Sequence, residues 1–567
     1  MRLLTVFKFT FSLLVALVLL APGSLSVPAQ TRPDFNRPQT YDVQHYLIRA
    51  SFDRAKRKVF GDTTVTIKPL KQPFSQAVFD AADMAFEKIT IDPSDVPLKF
   101  RVQGEKVTVD LGKNFVPDET VSIRFKYVAT PKKGVYFVDA RIEDGKIISP
   151  AQIYSQGEAD EAHHWIPSFD FPSDKATTEQ FLTVPKGETV VANGEMKGTE
   201  DNGDGTVTFH YLMPVPHSLY LLSFVVGDYV KLEDRHNDIP LGFYVYKGKE
   251  YIVPKAFGKT KDMMRVYEEV TGVKYPYNKY DQTIVSGFSF GGMENITATT
   301  MADTDIFLAD FELTKSGAED LVSHELAHSW FGDLVTCRNW AELWLNEGFA
   351  TFMEAVYREK TYGRRNYMVK VLSDASTYMA DEAVNPKRNG LFNQNAGDVN
   401  ALFDRPATTY NKGGAVLHTL RELLGDEAFW RGVNIYLNRH KFASVETSDL
   451  EKAMEESSGR DLGWFFEQWV YGTGYPKLDV KPVYNARSRS LVLTVTQTQK
   501  VDKLTPAAFR LPLTIELVAA GNKTEFPIEI TRRVETVTLK TNSKPTAIKI
   551  DPQEKIPIKS VKLRPLL

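Results

Sequence analysis

Two histidines four residues apart, His324 and His328 in HELAH, are followed nineteen residues later by Glu347 in NEGFA. No other feature constrains the chain as much. On a helix this spacing puts both imidazoles on one face, one turn apart. Leu321, Val322, Leu326 and Trp330 make that helix a buried one, so a polar pair on it is costly without a partner. Ser316 with Glu319 reads as a capping box at its start and Gly332 as its C-cap glycine. A second helix beginning near Asn346 brings Glu347 to the same point. Two imidazoles and a carboxylate make three ligands for one Zn2+, and three protein ligands leave a position open, as a hydrolytic zinc site requires.

The neighbouring residues fit that chemistry. Zinc lowers the pKa of its water toward about 7 and polarises a carbonyl. Glu325 is placed to take a proton from that water and return it to a leaving amine. About thirty residues upstream, after the strand-like Thr283-Ile284-Val285, stands Gly291-Gly292-Met293-Glu294-Asn295. Its glycines would let an extended backbone approach a substrate and pair with it as an added strand, with Glu294 facing the cleft; taken in isolation the segment reads better as an ordinary Gly-rich turn with a solvated Glu. Cys337 is the only cysteine. It excludes an intramolecular disulfide and reads as a buried small residue, not a ligand or nucleophile.

At 567 residues the chain is too long for one core. A net charge of −3 spread over that length gives no reason to expect nucleic acid or an anionic membrane surface as partner. Arg2 and Lys8, an apolar run from Phe9 to Ala21, then Pro22, Gly23 and small residues follow the order of a secretory leader, residues 1–29, cleaved near Ala29 or Ser26. That predicts an exported protein, periplasmic or secreted, with a membrane attachment only if the leader is retained. Period-two runs such as Val121/Ile123/Phe125/Tyr127 give residues 30–238 an antiparallel β-domain. Residues 239–475 are mainly helical, with helices expected over 255–270, 316–331, 347–362, 413–424, 427–439 and 448–457. Alternation returns in Leu491/Leu493/Val495 and Leu513/Ile515/Leu517, so 476–567 reads as a small β-sandwich. The fold class is multidomain α+β.

HELAHSWFG, GGMEN, NEGFA and Tyr410-Asn411-Lys412-Gly413 occur in the order and spacing of the M1 family of zinc aminopeptidases, which includes aminopeptidase N and leukotriene A4 hydrolase. The resemblance implies a thermolysin-like catalytic domain and one Zn2+ per chain. It also implies an activity that removes N-terminal residues from peptides with a free N-terminus. By the same resemblance Glu294 looks like the anchor of the substrate's α-ammonium, Glu158 its assistant, and Gly291, Gly292 and Met293 the substrate-contacting backbone and pocket wall. Tyr410 looks like the donor to the developing oxyanion. Epoxide hydrolysis, as in leukotriene A4 hydrolase, and a non-catalytic peptide-binding scaffold are the alternatives; the intact Glu325 and Tyr410 speak against the scaffold. The sequence ends after the C-terminal β-region, a short form without the large helical domain of many relatives, which implies a more open cleft. Where the family carries Ala-Arg and FPCxDEP, this chain has His163, His164 and Trp165 after Ala162, with Ser168 and Phe171 at the Cys and Glu positions. Altered packing near the amine pocket is expected there. Adjacent side chains diverge, so His163 and His164 are not expected to form a second metal site.

Overall fold

Alternating burial organises the first half of the chain. In the strand Val121–Ala129 the buried side chains are every second one, Val121, Ile123, Phe125, Tyr127 and Ala129, the pattern of a sheet with one face on a core. The computed structural model describes residues 32–567; the expected leader lies outside the described residues. Among those described, no helix is long and apolar enough to cross a membrane. Eight strands form the first sheet, in the order Glu195–Asp201, Thr206–Ser218, Lys175–Pro185, Tyr41–Asp53, Lys58–Pro69, Val121–Ala129, Met84–Asp92, Val96–Pro97. One neighbour pair departs from the antiparallel expectation: Tyr41–Asp53 runs parallel to Lys175–Pro185, with His45 opposite Thr177. A four-stranded sheet, Thr189–Ala192, Phe224–Gly227, Gln152–Ser155, Val135–Val138, lies beside it in sequence. Its strand Gln152–Ser155 leads directly into Glu158.

A second, five-stranded sheet carries the site: Tyr229–His236, Ile239–Tyr246, Tyr280–Val285, Ala298–Ala302 and, at its edge, Gly292–Met293. The boundary expected after residue 238 falls in the turn between the first two of these strands, which pair antiparallel. Both strands of that hairpin therefore belong to the sheet that carries the site. Helices follow at Lys315–Ala327, Trp344–Tyr362, Arg364–Val384, Gly413–Leu424, Asp426–Arg439 and Thr447–Ser458. The helix start differs from the expected capping box. Thr314 stands at the N-cap without a side-chain hydrogen bond to the helix. Regular helix ends at Ala327, and Gly332, with φ +136°, comes five residues later. The expected 255–270 helix is two pieces, Val253–Ala256 and Thr260–Thr271.

After Tyr475 two sheets are built, one of Lys477–Asn485, Ser490–Gln497, Val534–Lys540 and Ser560–Leu563, the other of Leu511–Ala519, Asn522–Ile530 and Ala547–Ile550. Their buried residues, among them Val480, Leu493, Leu511 and Leu513, belong to the same hydrophobic core as the helices; the N-terminal strands close a second core around Val65, Phe79 and Phe125.

Candidate metal centre and its cavity

The helix Lys315–Ala327 delivers His324 and Glu325, and the turn that ends it delivers His328. The next helix, Trp344–Tyr362, brings Glu347 in its first turn. Phe331 and Phe349 stack face to face, ring centroids 4.2 Å apart, and fix one helix against the other. Glu347 Oε2 lies 3.1 Å from His324 Nε2 and 3.4 Å from His328 Nε2. One ligand atom from each of these residues lies within 4.8 Å of the others, the reach of a single ion.

The other nitrogen of each ring is already committed. His324 Nδ1 is 2.8 Å from Glu354 Oε1, and His328 Nδ1 is 2.8 Å from the carbonyl of Phe331. With Nδ1 of both rings bonded outward, each Nε2 is the atom turned to the shared carboxylate, the arrangement in which an outer partner orients a metal-binding imidazole. Glu354 escapes a motif reading, although its position is legible: seven residues after Glu347, two turns along the same helix face.

Glu325 is buried, and its Oε2 has no hydrogen-bond partner. A Cβ on Gly292 would fall 2.3 Å from Glu325 Oε1, so the edge strand reaches the acid only because position 292 has no side chain. Burial pushes the Glu325 carboxyl up to about 8, with His324 and His328 pulling it back. Glu347 moves the other way. Burial opposes the shift, but the charge of His328 and the hydrogen bonds from both imidazoles take it to about 2.

Glu158 and Glu294 are buried together with Glu347, their oxygens again within 4.8 Å of one another. Glu294 Oε1 accepts a long 3.4 Å hydrogen bond from Tyr220, whose hydroxyl also accepts from Asn346 Nδ2. Glu158 Oε1 has no partner. Burial pushes Glu158 well above the carboxylate range, and the charge of Glu294 adds to it. Met293 is buried with its sulfur 3.2 Å from Gln156 Nε2. Tyr410 sits on a π-helical stretch, Ala407–Lys412, that runs into the helix Gly413–Leu424. Its ring stacks on His324 at 5.9 Å and 19°. Backbone contact brings it there: a Cβ on Gly413 would stand 2.6 Å from Gly348 Cα. Glu158, Glu294, His324, Glu325, His328, Glu347 and Tyr410 line one cavity of about 960 Å³ with Gly291 and Gly292; Met293 does not.

The loop after Glu158 corrects one expectation. His163 and His164 do not diverge: a short 3-10 turn, Ala162–His164, brings their rings to 4.6 Å, tilted at 34°. Each Nδ1 is held by its own carboxylate, His163 by Asp170 and His164 by Asp83, both at 2.8 Å. Asp160 anchors the same loop by accepting from Trp340 Nε1 at 2.7 Å. Cys337 is fully buried, and burial pushes its thiol up.

Comparison with known proteins agrees with this architecture. The Peptidase M1 N-terminal domain matches residues 38–221 and the Peptidase family M1 domain matches residues 255–469. Aminopeptidase 2 of Candida albicans is 29% identical over 478 residues, 82% of this chain and 50% of its own length. Aminopeptidase N of Streptomyces lividans is 33% identical over 336 residues, 57% of this chain and 38% of its own. Probable aminopeptidase 1 of Saccharolobus solfataricus is 27% identical over 451 residues, 77% and 54%. The chain belongs to the M1 peptidase family. It spans about half the length of the curated relatives it matches.

Proposed function

We propose that the chain is a zinc-dependent aminopeptidase that hydrolyses the N-terminal peptide bond of peptides. The observation that carries the reading is the sharing of one cavity by two constellations, His324–His328–Glu347 and the acid pair Glu158–Glu294. We read residues 30–238 as the N-terminal β-domain, 239–475 as the catalytic domain and 476–567 as a β-sandwich made of the two C-terminal sheets.

His324 Nε2, His328 Nε2 and the Glu347 carboxylate would hold one Zn2+; two neutral imidazoles and a carboxylate are a donor set it favours. When bound, zinc supplies Lewis acidity to a carbonyl oxygen and acidifies water toward a pKa of about 7. Glu325 takes the proton of the attacking water and passes it to the departing amine. Burial lifts its carboxyl toward neutrality and a nearby cation lowers it again, the balance a proton shuttle needs. Tyr410 donates from Oη to the carbonyl oxygen as that oxygen gains charge. Burial and the Glu347 charge push its phenol well up, so the proton stays in place.

Glu158 and Glu294 decide which bond is cut. A substrate α-ammonium gives both carboxylates charge-assisted hydrogen bonds and satisfies the free Glu158 Oε1. An internal segment of a polypeptide brings no such charge and leaves two buried acids unanswered. The substrate backbone adds to the free edge of the strand Gly292–Met293. The test compares an aminoacyl anilide with its N-acetyl form while zinc is quantified in the same preparation. Acetylation should lower kcat/KM by about 100-fold or more, the worth of one or two charged hydrogen bonds. Equal rates on both substrates would remove the amine anchor from the mechanism.

A further inference from the structure

One ammonium group joins the two sides of the cleft. Lys370, on the helix Arg364–Val384, places Nζ 3.0 Å from Glu354 Oε2 and 2.8 Å and 2.9 Å from the two oxygens of Asp374. Each carboxylate reaches a different part of the site. Glu354 Oε1 holds His324 Nδ1 at 2.8 Å. Asp374 Oδ1 accepts from Asn411 Nδ2 at 2.8 Å, and Asn411 is the residue next to Tyr410. Lys370 and Glu354 are 12% and 11% exposed at their side chains and Asp374 is 6%, so water screens the three charges little. All four residues line the cavity.

We propose that Lys370 is a positioning residue that couples the orientation of His324 to that of the Tyr410 segment, through Glu354 on one arm and Asp374–Asn411 on the other. The inference rests on the reading of His324 as a zinc ligand and Tyr410 as the oxyanion donor. The physical argument is a matter of sharing. Two buried carboxylates facing each other repel, and a single cation between them fixes both positions at once. Asn411 sits on the π-helical stretch Ala407–Lys412, a rare backbone form often found at functional sites, and its bond to Asp374 tethers that stretch from outside. On the other arm, an imidazole held at Nδ1 by a carboxylate keeps its ring plane and donor strength. A mere counter-ion would lower stability alone. A positioning residue moves zinc affinity and turnover, and makes the two arms interdependent.

The experiment measures zinc Kd by competition with a chromogenic chelator, and kcat at saturating zinc, for wild type, K370M, E354Q, D374N and E354Q/D374N. E354Q should raise zinc Kd about tenfold and, through Lys370, lower kcat at saturating zinc by more than about twofold. D374N should lower kcat about tenfold through a displaced phenol and, through Lys370, raise zinc Kd by more than about twofold. K370M should do both. The effects of E354Q and D374N on kcat should fail to multiply while Lys370 is present. A folded K370M with zinc Kd and kcat both within about twofold of wild type overturns the proposal. If K370M does not fold, the cycle decides alone: independent, multiplying effects overturn it. A wild-type chain that binds no zinc defeats the zinc reading itself and this inference with it; a zinc-binding, active wild type beside an unchanged K370M defeats only the inference.

Discussion

Two histidine pairs in the chain look alike at first sight. His324 and His328 have ring centroids 4.8 Å apart, His163 and His164 4.6 Å, and every one of the four is bonded at Nδ1. What differs is where the remaining nitrogens go. The helical pair sits at 76° between rings, and both Nε2 atoms converge on one oxygen of Glu347. The adjacent pair lies at 34°, and the one further carboxylate paired with it, Glu105, stands 3.9 Å from His163 Nε2 with a side chain 71% exposed. Proximity of two imidazoles alone does not assemble three donors. A third donor has to be carried in by a separate element and held there by packing, as the Phe331–Phe349 stack holds Glu347.

The largest effect that tests this contrast comes from deleting one imidazole in each pair. His328→Ala should abolish zinc binding at micromolar free metal and lower kcat on an aminoacyl anilide by on the order of 10⁴-fold, as removal of a core catalytic element does. His163→Ala should keep wild-type zinc stoichiometry and lose less than about tenfold in rate, an effect transmitted through the loop that carries Glu158. Metal analysis and steady-state kinetics on the two variants decide it. Zinc lost from the His163 variant would erase the distinction.

A smaller change sharpens the division of labour inside the helical pair. Glu325→Gln keeps the shape and both imidazoles and removes only the proton acceptor, so turnover should fall about 10²- to 10⁴-fold with zinc content unchanged. Undiminished turnover in this variant would take the proton shuttle away from Glu325.

How much of this is legible in sequence depends on whether a residue's partner is near in the chain. His324, His328 and Glu347 are legible because a helix turns a spacing of four into one face and NEGFA opens the next helix. Gly413–Leu424 is legible from its apolar stripe and is found with those bounds. The helix Arg364–Val384 is not among those that periodicity predicts. Its buried face mixes Tyr367, Val371, Ala375 and Tyr378 with Asp374 and Glu382, and acids on the inner stripe break the apolar pattern. Those acids are buried because Lys370 and Arg405 meet them, Arg405 from a loop 23 residues away from Glu382. Likewise the C-terminal strands announce their alternation but not what their inner faces touch, and the helices share that core. The close approach of His163 to His164 is not legible for a related reason. Divergence of neighbours holds for a strand, and here a 3-10 turn with two carboxylates from separate loops, Asp83 and Asp170, draws both rings to one side.

The smallest expected effect sets the adjacent pair's own chemistry against that of the metal-type pair. Burial alone would lower the His163 imidazolium, but the Asp170 hydrogen bond and charge, with Asp80 and Glu105 behind them, hold it above 6.5. Its folded pKa thus exceeds its unfolded one, so the pair's contribution is fully present below pH 6.5 and is lost as pH rises through the folded value. His163→Gln cannot ionise and serves as the reference. The wild type should be the more stable at pH 6, by about 1 kcal/mol or ~1–2 °C in Tm for a chain of this size, and the gap should close as pH rises above neutrality. Asp174, pushed up to about 8 by burial, titrates over the same range. It is common to both proteins, and its contribution drops out of the difference. Thermal melts of the two chains from pH 5.5 to 9 provide the measurement. A gap that stays constant or widens with pH would mean that His163 is held neutral, and that its bond to Asp170 is an ordinary hydrogen bond with no charge in it.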